Sequence, residues 1–108
     1  MREFEFESPD SLAGAIQLLE SSKGKPLAGG TDLIDHLRTG RVVTDLVVDI
    51  KKIPELNVLE INDEGLRLGA AVSCRKICAN AEIKQHYPAL IDVCSIIGGI
   101  QIQSRASV

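Results

Sequence analysis

Pro26-Leu27-Ala28-Gly29-Gly30-Thr31-Asp32-Leu33 is the stretch on which the reading of this chain turns. A short β-type segment runs straight into a glycine pair, and Leu33, Ile34 and Leu37 then carry the apolar spacing of a short helix that stops near Gly40. Successive N–H groups in a glycine turn at a helix N-terminus form a concave set of donors suited to anionic oxygens. The spacing is not that of the three-glycine dinucleotide fingerprint, and the Lys of the nucleotide P-loop is missing. On these residues alone two readings stay open, a phosphate site and a plain turn before a helix. Asp32 weighs against phosphate unless its carboxylate faces away or caps the helix.

Towards the N-terminus, Glu3-Phe4-Glu5-Phe6-Glu7 alternates with period two, which predicts a short strand with Phe4 and Phe6 on one buried face. Ser8, Pro9 and Asp10 suit the start of a helix whose apolar stripe is Leu12, Ile16 and Leu19, ended by Gly24 and Pro26. Towards the C-terminus, Leu46 to Ile50 predicts a third strand and Ile53-Pro54-Glu55-Leu56 a turn. Val58 to Ile61 and Leu66 to Ala70 flank Asn62-Asp63-Glu64-Gly65, a hairpin signal with Gly available for positive φ. Ser73 can cap a helix carrying Ile77, and a further helix after Pro88 carries Leu90, Ile91, Val93 and Cys94. Ile100 to Val108 reads as the start of a strand or loop with nothing after it to pair with, so the chain reads as if cut. The order β-α-β-α-β, hairpin, helices is that of an α/β or α+β domain.

The composition excludes several classes. At 108 residues and 11.6 kDa there is no room for a self-contained large enzyme, while 44% hydrophobic and 25% charged residues are those of a folding, globular chain. Aromatics are only 3%, so the core is aliphatic and base-stacking platforms are not expected. A net charge of −3 without a basic cluster larger than Lys51-Lys52 speaks against nucleic acid and anionic membranes. No apolar run approaches a membrane span, the N-terminus lacks a signal-peptide centre, and three cysteines do not make a disulfide framework. A cytoplasmic setting is the expectation.

Three blocks together resemble the flavoprotein subunits of molybdenum hydroxylases, the family of xanthine dehydrogenase and the carbon monoxide dehydrogenase medium subunit. They are Pro26 to Leu33 with Arg38 and Gly40, Gly65 to Ser73, and Gly98-Gly99-Ile100-Gln101-Ile102-Gln103-Ser104-Arg105-Ala106-Ser107-Val108. They stand in family order and cover nearly the whole chain. The resemblance implies the α+β fold of the p-cresol methylhydroxylase-like FAD domain, with residues 1–54 as a first FAD-binding subdomain and 55–108 as the incomplete start of a second. It implies that the backbone of Ala28, Gly29, Gly30, Thr31, Asp32 and Leu33 wraps the FAD pyrophosphate, that Ile97 and Gly98 lie on the flavin side, and that Ala106 and Ser107 begin a second loop, which in the family continues with Gly-Gly-Asn. It further implies a molybdopterin-binding subunit and a 2Fe-2S subunit as partners, and electrons passing from iron–sulfur clusters through FAD to an acceptor.

Other residues carry less. Cys74 and Cys78 share helical spacing, but neither Cys94 nor His86 completes a metal-ligand pattern, so no metal is expected. His36 reads as a solvated helix residue, His86 as a loop residue, and Asp32 with Asp35 as capping and dipole partners. No nucleophile or general base stands out, which suits a flavoprotein, whose cofactor carries the redox chemistry. The rival reading is a truncated α+β binding or assembly domain without cofactor. Because a two-stranded hairpin is marginal unless covered, a homodimer of the fragment is also expected.

Overall fold

The computed structural model describes residues 1–108 and is mixed helix and strand, an α+β arrangement. Strands β1 (Glu5–Glu7), β2 (Lys25–Leu27) and β3 (Leu46–Asp49) form a parallel sheet in the order β1-β3-β2, with α1 (Leu12–Ser21) and α2 (Leu33–Thr39) as crossovers. Leu46-Val47-Val48-Asp49 is buried along its whole length, as befits a central parallel strand: the first three residues are apolar, and the carboxylate of Asp49 is paired with Lys51. Pro26 has no N–H to give a second neighbour, and it sits on the edge strand β2. A 3₁₀ turn over Pro54–Asn57, held by Asn57 Nδ2 donating to the carbonyls of Lys51 (2.8 Å) and Ile53 (2.9 Å), leads to the antiparallel hairpin β4 (Leu59–Asn62) and β5 (Gly65–Leu68). Four short helices follow: α3 (Cys74–Cys78), α4 (Ala81–His86), α5 (Pro88–Ile96) and α6 (Ile100–Gln103).

Apolar burial falls into two clusters. Ala15, Leu46, Val48 and Ile53 join α1 to the parallel sheet, while Val72, Cys74, Ile77, Ile83, Cys94 and Ala106 join the late helices to Leu59, Ile61, Leu66 and Leu68 of the hairpin. The hairpin is therefore covered by helices of its own chain, which removes the reason for which a homodimer was expected. No helix is long and apolar enough to cross a membrane.

Several expectations need correcting. Helix α1 begins at Leu12, not at Pro9, because it is Ser11 whose side chain accepts the Gly14 N–H, at 3.1 Å. Its inward stripe is Ala15, Leu18 and Leu19, with Leu12 and Ile16 exposed. Phe6 is 54% exposed, since β1 is an edge strand of three residues and α1 packs on β3. Asn80 caps an additional helix, α4, through the Ile83 N–H, and His86 closes that helix. Ile100 to Val108 is neither a free strand nor a loose end. It forms α6, returns to Cys74, whose N–H donates to the Ala106 carbonyl at 2.8 Å, and bridges Ser107 to Ser73.

Candidate functional site: a main-chain amide cradle

The segment after β2 leaves the largely exposed edge strand and turns at once into α2. Gly30 takes φ +80°, a left-handed conformation that a side chain resists, and so swings the chain from extended to helical within two residues. Across this turn no backbone N–H from Ala28 to Leu33 donates a hydrogen bond within the protein. On either side of it the pairing resumes, from Ile50 N–H to the Leu27 carbonyl (3.0 Å), from Ile34 N–H to the Gly30 carbonyl (3.1 Å) and from His36 N–H to the Asp32 carbonyl (2.9 Å). Asp32 stands at the N-cap position without a capping hydrogen bond, so its exposed carboxylate does not occupy these donors, contrary to the capping role considered from sequence. A run of consecutive unpaired amides at the start of a helix is a donor array for an anion.

Gly29 has a second role. A Cβ built there would stand 1.6 Å from the Arg105 carbonyl oxygen and 3.1 Å from the Ala106 nitrogen, so only glycine lets the C-terminal segment lie against the turn. Of the residues expected beyond the turn, Ala106 is thus brought to it, though as a buried packing residue whose own N–H and carbonyl are paired with Ile102 and Cys74. Ser107 lies half-buried, bridged to Ser73. Ile97 and Gly98 form the turn between α5 and α6, where Gly98 has φ +54° and the Gln103 amide donates to the Ser95 carbonyl at 2.9 Å.

Beside Gly29 lies a groove of about 230 Å³, also lined by Lys51, Asn57, Ser73, Lys76 and Arg105. Lys51 is engaged, its ammonium 2.6 Å from Asp49. Burial works to raise the Asp49 carboxyl, but the ammonium and the backbone N–H of Lys51, with Lys52 adding its charge, outweigh it and hold the group below the ordinary 3.8. These cations come from separate parts of the chain, so sequence reading, which looked for a cluster along the chain, passed over them. The largest depression, about 800 Å³, is open, lies along Met1 to Glu5 and Asp45-Leu46, and contains none of the turn residues.

The three cysteines are free thiols gathered at the second core. Desolvation, reinforced by Cys74 and Cys78 nearby, pushes the Cys94 thiol up to about 11. That is inert packing rather than a nucleophile or ligand, and no group of His, Cys, Asp and Glu is arranged for a metal ion.

The chain is similar to several known proteins along nearly its whole length. Residues 2–108 match the family described as the FAD binding domain in molybdopterin dehydrogenase. The chain is 32% identical over its full length to the nicotinate dehydrogenase FAD-subunit of Eubacterium barkeri, covering 38% of that protein, and 34% identical to the xanthine dehydrogenase FAD-binding subunit of Escherichia coli O157:H7, covering 90% of this chain and 34% of that one. Among solved structures, carbon monoxide dehydrogenase from Hydrogenophaga pseudoflava superposes with a TM-score of 0.93 at 25% identity, over 98% of this chain and 38% of that one. The chain thus spans little more than a third of the length of the relatives it matches. With the match running nearly from end to end and the glycine turn standing where the fold presents free amides, this chain belongs to the FAD-binding domain family of molybdopterin dehydrogenases.

Proposed function

We propose that Ala28 to Leu33 holds the pyrophosphate of FAD, and that the chain serves within the flavoprotein subunit of a molybdopterin-dependent dehydrogenase. The observation that carries this reading is the unbroken run of unpaired main-chain N–H groups across Gly29-Gly30. Such donors, fixed before the ligand arrives, favour phosphate oxygens at little reorganisation cost. FAD, when bound, supplies the redox chemistry, and the chain contributes binding, orientation and a charge environment. In the proposed role electrons reach the flavin from iron–sulfur clusters of a partner subunit, after an organic substrate is oxidised at a molybdopterin subunit, and leave to a further acceptor. Ile97, Gly98, Ala106 and Ser107 complete the flavin site in this proposal, Ala106 by holding Arg105 and Ser107 in place through packing.

The test is flavin binding itself. These 108 residues are expected to purify with little flavin, while a longer chain that includes the family's Gly-Gly-Asn after residue 108 purifies yellow and quenches the fluorescence of added FAD. Gly30→Val in that longer chain removes most of the binding, since valine opposes φ +80° and its Cβ comes within 3.1 Å of Ile34 and Leu27. A longer chain that folds yet stays flavin-free with excess FAD sinks the reading.

A further inference from the structure

The amide cradle offers dipoles but no formal charge, and Asp32 at its end adds a negative one, so a diphosphate seated there finds no counter-charge in the turn itself. Positive charge stands in the adjoining groove, which shares Gly29 with the cradle and has no carboxylate among its lining residues. Lys51 is already neutralised by Asp49, whereas Lys76 and Arg105 join neither of the molecule's two ion pairs, Arg2–Asp45 and Lys51–Asp49. Folding brings these two free cations together from separate elements. Lys76 projects from α3, Arg105 follows α6, and the Cys74 N–H to Ala106 carbonyl bond with the Ser73–Ser107 bridge fixes one segment against the other. The same Arg105 presses its carbonyl on Gly29, so its backbone is anchored at the edge of the cradle.

We propose that Lys76 and Arg105 form the cationic wall of the diphosphate site, supplying the charge that the amides of Ala28 to Leu33 lack. This rests on the cradle reading above and adds side chains to it. The guanidinium can grip two oxygens of one phosphate, and the ammonium acts as a point charge on the other.

The probe is inorganic pyrophosphate, titrated calorimetrically into the 108-residue chain. Saturable binding is expected, and Lys76→Gln and Arg105→Gln each weaken it about tenfold, the loss of one charge-assisted contact. Arg105→Lys retains some of the affinity, and Lys52→Gln, an exposed cation outside the groove, leaves it unchanged. Circular dichroism of each variant verifies the fold. Absence of pyrophosphate binding by the parent chain overturns the proposal. So does parent-like affinity in the Lys76→Gln/Arg105→Gln double variant; if Gly30→Val then still abolishes binding, the cradle reading survives alone. Loss in the double variant with none in Gly30→Val means that the two cations serve a separate site, which overturns the shared site and counts against the cradle.

Discussion

A Cβ on Gly29 would overlap the Arg105 carbonyl, whereas one on Gly30 would meet only side-chain atoms, Ile34 Cγ1 and Leu27 Cδ1, and it is the left-handed φ there that favours glycine, so the two neighbouring glycines are needed for different reasons. Gly29→Ala must push the Arg105 backbone away from the turn, and we expect it to cost about 3 kcal/mol of stability in urea unfolding. Gly29 and Gly30 were both legible as turn glycines, but the partner of Gly29 was not, because nothing along the chain links residue 29 to residue 105. Cys94 makes a prediction of the opposite kind. Its thiol stays protonated up to about 11 in the folded chain, against an ordinary 9.0, so the unfolded chain releases its proton first and stability falls as pH rises above 9. Thiol labelling of the native protein near pH 8 is accordingly expected at half-buried Cys78 and not at Cys94, read by peptide mass. Asp49 works at the other end of the scale. Its folded pKa lies below 3.8, so the stability it contributes is complete above that value and is lost as pH falls through the lower, folded one. In Asp49→Asn the acid limb of the stability profile should flatten.

The helices and strands follow the chain's local signals unevenly. The β2–turn–α2 unit, the central strand, the hairpin, the cap at Ser73 and the helix start at Pro88 were readable because each combines a period with a start or stop residue. The first helix shows where such signals compete: Ser8-Pro9 and Ser11 both suit a start, and only the geometry decides between them. Ser11→Ala, which removes the hydroxyl bonded to Gly14, should cost about 1 kcal/mol. Ser8 Oγ is buried without a partner, so Ser8→Ala should be neutral or slightly stabilising in the same thermal-melt series. Short α4 escaped notice since six residues are too few to display a period, although Asn80 marked its start.

As a body the molecule is a thin slab, 44 × 30 × 15 Å, with a radius of gyration of 15.3 Å where about 13 Å suits a compact chain of this length. Two apolar clusters fit that shape better than one core, and we propose that residues 1–54 and 55–108 behave as two units joined at a seam. Val48→Ala and Ile83→Ala each empty a fully buried position, and each is expected to speed amide hydrogen exchange mainly in its own half. Equal acceleration across both halves would show a single cooperative unit. The composition and patterning made the fold class legible, but the long-range approach of Arg105 to Gly29, which sets the cations of the groove beside the turn, has no local signal in the chain. That approach also sets a timetable. The glycine turn leaves the ribosome early, yet the backbone that backs it is made much later, so a nascent chain displays its amides before the wall behind them exists. Cofactor capture is thereby deferred until synthesis has passed residue 105, and a ribosome stalled upstream of that point should carry a chain with β-α-β structure and no grip on flavin.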